Sequence, residues 1–270
     1  MSRQYQFSGK EDLILEVASL YTGGMKAGEI AKKIGKSRAL VCLYLKHSGT
    51  PTVAGTGRKI ALDENFFQEI DTHEKAYWLG FLLADGHIPK MAAVRVELQA
   101  SDREHLVAFL QSLKSDSRIR ESVRQLKGSE NRSVWTIVCS VKMKNDLLVK
   151  GWQEFKKRGD LRIVEDVPTH LKPSLLRGLF DGDGCFMAER ATFVDAHLSV
   201  VHWFQEELVR ASREIKRSPV TPNPRGTSYV VKWSGRARLQ AVVNHLYSTP
   251  GPHLRRKRET ADATYFVHSS

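Results

Sequence analysis

Apolar residues recur along this chain with two different periods, and the alternation between them lays out its organisation. Between residues 11 and 22, Leu13, Ile14, Val17, Leu20 and Tyr21 fall on one helical face. Gly23-Gly24 ends that helix. Two more are predicted over Ala27–Ile34 and Ser37–Lys46, with Ile30, Ile34, Val41 and Leu45 as the contacts between them. Ser37 carries the hydroxyl of a good N-cap, and Ala31 and Gly35 are small where these helices are expected to cross tightly. Residues 1–48 thus read as a small all-α domain, and 49–65, rich in Gly, Thr and Pro, as a connector.

From residue 66 one order of elements is written twice, over 66–168 and 169–270. The first copy has a helix Glu74–Asp85, then Val94, Val96 and Leu98 alternating with Arg95, Glu97 and Gln99. A helix Asp102–Lys114, an extended pair Arg118–Leu126 and Ser133–Val141, and a short helix Lys144–Lys150 follow. The second copy has a helix Pro173–Asp183, then Val194, Ala196, Leu198 and Val200 alternating with Asp195, His197 and Ser199. It continues with a helix Trp203–Lys216, an extended pair Pro219–Asn223 and Ser228–Trp233, and a helix Arg236–Leu246. Period-two alternation predicts strands with one buried and one polar face. The fold class expected is α+β, two αββαββ units in tandem behind a helical domain.

Composition narrows the partners. A chain of 270 residues suggests roughly two domains, and 41% hydrophobic residues exclude wholesale disorder. The net charge of +12 calls for a polyanion. No apolar stretch approaches the roughly 20 residues that cross a bilayer, and no apolar leader opens the sequence, so neither a membrane partner nor secretion is expected. Three cysteines without CxxC spacing argue for a reducing compartment, against a disulfide frame or a structural zinc site.

The run G-E-I-A-K-K-I-G-K-S-R-A-L-V, from Gly28 to Val41, resembles helix-turn-helix modules. The resemblance implies that Lys36, Ser37 and Arg38, opening the second helix, approach base edges in the major groove, with Lys32, Lys33 and Lys46 near phosphates. Eight Lys/Arg against four Asp/Glu give residues 1–48 a net +4, which favours this over an ordinary helical hairpin.

The chemistry resides in a paired motif, Trp78-Leu79-Gly80-Phe81-Leu82-Leu83-Ala84-Asp85-Gly86 and Leu176-Arg177-Gly178-Leu179-Phe180-Asp181-Gly182-Asp183-Gly184. Gly80 with Ala84, and Gly178 with Gly182, share a helix face at i and i+4, so two backbones can approach closely. Gly86 and Gly184 are expected to end the helices in left-handed geometry. Asp85 and Asp183 then stand at helix C-termini, where the dipole disfavours an anion by about 0.3–1 kcal/mol. Two such carboxylates brought together would also repel. A divalent cation removes both penalties, and paired carboxylates suit Mg²⁺ shared with phosphate oxygens, with Mn²⁺ as its substitute. The segment Asp181-Gly182-Asp183-Gly184 is not an EF-hand loop, because Cys185 and Phe186 replace a ligand and a glycine.

This duplicated motif resembles the LAGLIDADG homing endonucleases in their single-chain, two-motif form, over about residues 66–260. The resemblance implies a pseudo-twofold saddle of antiparallel strands over double-stranded DNA, with Asp85 and Asp183 as metal-binding catalytic acids. The motif's other acid position holds Leu83 in one copy and Asp181 in the other. A basic residue per repeat is further implied; Lys156 and Lys257 are the candidates, with a solvated basic run as the plain alternative. Polar residues closing the second strand, Asp102 or Ser101 and Ser199, would touch waters in the site. Base readout falls to Arg95, Glu97 and Gln99 in one half and Asp195 and His197 in the other. Arg120, Arg124, Arg132, Arg225 and Lys232 would add phosphate and guanine contacts, while all five tryptophans are expected in the core.

The function expected is a monomeric, site-specific DNA endonuclease with an asymmetric target, cytoplasmic if its host is prokaryotic or a phage. A non-cleaving regulator on the same fold and an intron RNA maturase are the alternatives. The paired acids speak against the regulator, since a pure binder has no use for repelling carboxylates.

Overall fold

The chain divides into two units, Met1–Lys59 and Ile60–Ser270, and the described residues of the first form three helices. The structure, a computed structural model, describes residues 9–50, 61–89, 93–126, 129–224 and 226–265. In the first unit, α1 (Glu11–Thr22), α2 (Ala27–Lys33) and α3 (Arg38–His47) bury Ile14, Val17, Ile30, Ala31, Val41, Tyr44 and Leu45 in one cluster. Ser37 caps α3, its Oγ accepting the Leu40 N–H at 3.2 Å. Gly35 serves the turn rather than the crossing expected of it. Its φ is +64° and no atom lies within 4 Å of where a Cβ would stand, so left-handed geometry, not crowding, requires glycine there.

The second unit opens with residues 61–65 hydrogen-bonded to its first half: the Ala61 N–H donates to Asp116 Oδ1 and the Asp63 N–H to the Leu113 carbonyl. That half runs α4 (His73–Asp85), β1 (Gly86–His87), β2 (Ala93–Gln99), α5 (Arg103–Ser112), β3 (Arg120–Leu126), β4 (Ser129–Cys139), α6 (Val141–Val149), α7 (Trp152–Arg158) and α8 (Arg162–Glu165). The second half runs α9 (Lys172–Asp183), β5 (Gly184–Met187), β6 (Arg190–Asp195), α10 (Leu198–Ala211), β7 (Val220–Pro222), β8 (Tyr229–Ser234), α11 (Arg236–Leu246) and α12 (Arg255–Tyr265). Each half holds one antiparallel four-stranded sheet, ordered β1-β2-β4-β3 and β5-β6-β8-β7. The αββαββ order is therefore present twice, as the α+β reading expected.

A single apolar core joins the halves, and its centre is the seam between α4 and α9. The two glycines of the seam are sterically required. A Cβ on Gly80 would sit 2.2 Å from the Leu175 carbonyl oxygen, and one on Gly178 2.1 Å from that of Tyr77. At Gly182 it would meet the Ala84 Cβ at 2.2 Å. Glycine in a helix interior costs about 0.5–1 kcal/mol against alanine; the close backbone approach is what that loss allows.

Two expectations are overturned. Gly86 and Gly184 are extended, with φ −77° and −96°, because the chain passes from each helix straight into β1 or β5. Glycine is needed there for space: a Cβ would fall 2.4 Å from the Leu82 carbonyl oxygen at Gly86 and 2.4 Å from the Phe180 ring at Gly184. The second alternating run also divides differently. β6 ends at Asp195, and α10 begins at Leu198 rather than Trp203. Leu198–Val201 mimics strand alternation, yet Val200, Val201, Phe204 and Leu208 form the buried stripe of a helix.

Candidate active site

Asp85 and Asp183 are the last residues of α4 and α9, and the seam brings these helix ends together. A Cβ on Gly182 would stand 3.4 Å from Asp85 Oδ2. Removal from water raises the Asp183 carboxyl to about 7, with Asp85 and Asp195 adding repulsion against the pull of Lys156 and Lys257. Asp85 is the more exposed; its carboxyl is also raised, by loss of water first, and Lys257 and Lys156 oppose the rise. The acids therefore occupy a place where carboxylates resist ionising together.

Both expected lysines reach these tips. Lys156, on α7, donates from Nζ to the Leu83 and Ala84 carbonyls at 2.8 Å each. Lys257, on α12, donates to the Phe180 carbonyl at 2.9 Å and the Asp181 carbonyl at 2.5 Å. The last carbonyls of a helix have no partner within it and carry its negative end, so an ammonium there satisfies both needs. Burial lowers both lysines, with the Coulombic pull of Asp183 opposing it at Lys156 and that of Asp181 at Lys257. Lys257 does not belong to a solvated basic run: it is 5% exposed and shares the buried stripe of α12 with Ala261 and Tyr265. That i, i+4, i+8 spacing was the available sequence signal for a helix there.

Asp195 lies in this centre and not on a base-reading face. A cavity of about 280 Å³ is lined by Asp195 together with Asp183, Lys156 and His197. The carboxyl of Asp195 is raised by burial, and its Oδ1 accepts the His197 N–H at 2.7 Å. His197 is off the strand altogether: it is the residue before α10, and its Nε2 lies 3.2 Å from the Lys156 carbonyl oxygen. Sequence reasoning set both on the polar strand face; Asp195 instead shares the face of buried Ala191 and Phe193 at the end of β6, and His197 lies beyond that strand. Asp102 and Ser199 are also engaged with protein rather than turned to water in the site; Asp102 binds Arg256, and Ser199 donates to the Gly159 carbonyl. Asp181 is fully buried, its Oδ2 accepting from Tyr77 Oη at 2.8 Å and from the Leu254 N–H at 2.7 Å, which ties the start of α12 to α9.

The open face of the first sheet carries the expected polar row. Arg95 and Glu97 pair at 2.7 Å, and Arg124 and Ser133 also bind Glu97, whose carboxyl they lower. Gln99 is exposed at the end of β2. Trp135, expected in the core, lies on this face instead, with Arg95 and Arg120 over its ring at 4.8 and 5.2 Å; the other tryptophans are buried. On the second sheet Lys232 is exposed opposite Thr192. Arg225 lies outside the described residues. In the first unit Lys32, Lys33, Lys36, Ser37, Arg38 and Lys46 are all exposed.

Among the described residues no group of three His, Cys, Asp or Glu side chains forms a ready metal cage, and no helix is long and apolar enough to cross a membrane. The donors at the tips are two hard carboxylates, a set that fits Mg²⁺ sharing its remaining positions with water and substrate oxygens.

No family model and no curated protein matches the chain. Among the solved structures similar to it are homing endonucleases and a LAGLIDADG domain. Variants of the homing endonuclease I-DmoI share 15% identity over 73% of this chain and 97% of theirs, with a TM-score of 0.48. The homing endonuclease I-WcaI bound to its DNA recognition sequence shares 14% over 76% and 96%, also at 0.48. The N-terminal LAGLIDADG domain of DUF199/WhiA shares 10% over 69% and 89%, at 0.43.

Proposed function

We propose that this protein is a monomeric, site-specific endonuclease that hydrolyses both strands of a long asymmetric DNA duplex. The observation that carries the reading is the pair of acid-tipped helices, packed backbone to backbone, with one lysine bound at each tip. Asp85 and Asp183 would hold Mg²⁺, or Mn²⁺ in its place, and are otherwise forced towards their neutral forms. Bound there, the cation would supply Lewis-acid stabilisation of the phosphate and a more acidic water. Lys156 commits two of its three N–H donors to carbonyls, which leaves one for a phosphate oxygen or an attacking water. Arg95, Gln99, Arg120, Arg124 and Lys232 would meet the duplex from the two strand faces. Lys36, Ser37 and Arg38 of the first unit would extend the contact, a tethered module raising affinity by effective concentration.

The test begins by selecting a tight-binding duplex from a random library and then adding Mg²⁺ or Mn²⁺. The wild type should cut both strands. Asp183→Asn should bind with affinity within about threefold and cut roughly 10³-fold more slowly, the order of loss that follows removal of a charge-stabilising group. A selected duplex that stays intact with either metal overturns the endonuclease and leaves a DNA-binding regulator.

A further inference from the structure

Each tip lysine stands on a helix that is also held by the opposite half. α12 begins beside Asp181 of its own half, through the Leu254 N–H. One turn on, Arg256 Nε donates to both carboxylate oxygens of Asp102, at 3.1 and 3.0 Å. Asp102 belongs to the first half, in the single 3-10 turn that follows β2, and its side chain is 6% exposed. Arg256 is the residue before Lys257.

The other lysine shows the reciprocal arrangement. α7 ends at Gly159 in left-handed geometry. The Ser199 hydroxyl donates to the Gly159 carbonyl at 2.8 Å, and His197 Nε2 lies 3.2 Å from the carbonyl oxygen of Lys156 itself. Contact is so close that a Cβ on Gly159 would fall 2.5 Å from both His197 Cβ and Ser199 Oγ. His197 and Ser199 belong to the second half, just after β6, as Asp102 lies just after β2. The two clamps differ in chemistry, an ion pair in one case and contacts to backbone carbonyls in the other, yet occupy corresponding places.

We infer that the turn closing the central strand of each half positions the lysine of the other half, with Asp102 setting Lys257 and His197 with Ser199 setting Lys156. Building on the proposed cleavage reaction, this couples the two strand cuts: whatever engages the strand face of one half shifts a charge used in the other. Displacement by as little as 1 Å is enough to slow a reaction a hundredfold. Asp102, His197 and Ser199 are thus positioning residues.

Two readouts on the full chain test this. The first needs no DNA: the rate at which an amine-acylating reagent labels each lysine, read by peptide mass in the folded protein. Asp102→Ala should raise labelling of Lys257 at least fivefold and leave Lys156 within twofold, and Asp102→Asn, which keeps one acceptor for Arg256, should fall between. Arg256→Gln, on the exposed side of the pair, should behave like Asp102→Ala if that variant folds poorly. Ser199→Ala should raise Lys156 labelling threefold or more and leave Lys257 unchanged. Equal changes at both lysines, or none, overturn the inference. The second readout is strand-resolved cutting of an end-labelled duplex, where Asp102→Ala should slow one strand at least tenfold and the other less than threefold; equal slowing also overturns it. A wild type that cuts nothing removes the endonuclease reading, while the labelling pattern still decides the clamp.

Discussion

The two halves of the second unit agree closely at their seam and diverge on their sheets. At the seam, Gly80 and Gly178 face each other's partner helix at nearly the same distance, and one lysine closes each helix end. On the strands, the first half carries a connected lattice of Arg95, Glu97, Arg124 and Ser133 beside a ring flanked by two arginines. The second half offers Arg190, Thr192 and Val194 on β6 and an exposed Lys232 on β8 in the corresponding region. Symmetry persists where two backbones must touch, because a mismatch there is a steric clash on both sides. It lapses where the surface faces outward and each side chain answers only to what it meets. A second difference is internal: Asp181 anchors α12 in the second half, and the first half has Leu83 in its place.

The strongest way to break this comparison is at the seam. Gly178→Val and Gly80→Val should each destabilise the second unit by roughly 3 kcal/mol or more in urea titrations, since the added carbons collide with main-chain oxygen that cannot retreat. A large difference between the two would refute the seam's symmetry. Gly35→Ala in the first unit, in open space at φ +64°, should cost only about 1–2 kcal/mol through backbone strain.

A smaller effect separates the two acids. In the folded chain burial pushes the Asp183 carboxyl up to about 7, against 3.8 for a solvated aspartate. Between those limits the folded state binds more protons than the unfolded one, so metal-free stability falls as pH rises from about 4 to about 7. Each unit is worth at most about 1.4 kcal/mol. Asp183→Asn should therefore melt several degrees above the wild type at pH 8 and level with it at pH 4, and Mg²⁺ should narrow the gap at pH 8. No gain at pH 8 would place Asp183 in a wetter setting than its burial indicates.

The smallest effects sharpen the contrast between the sheets. Arg120→Ala and Lys232→Ala should each weaken DNA binding less than tenfold in anisotropy titrations, and each should lower the salt slope by about 0.9 if it removes one phosphate contact. Arg120→Ala should also free the Trp135 ring, visible as a change in tryptophan emission. Equal emission changes in both variants would contradict the placement of Trp135 on the first sheet's face.

Local chemistry was enough to read much of this protein. The helices ending at Asp85 and Asp183, their small-residue faces, the twofold αββαββ order and the N-cap at Ser37 all follow from residues within a few positions of one another. Tertiary structure alone decided the rest. Lys156 meets Leu83 and Ala84 across 73 and 72 positions, and Lys257 meets Phe180 across 77, so nothing nearby in the chain announces either bond. Asp195 stands at the end of β6 on the face of buried Ala191 and Phe193, and His197 lies past the strand, where side-chain alternation still reads as strand. Gly86 and Gly184 are glycines for lack of room and not for backbone freedom, a distinction set by Leu82, Trp152 and Phe180 around them. Periodicity records which way a side chain points along its own element, while the distance to another element depends on how the whole core closes.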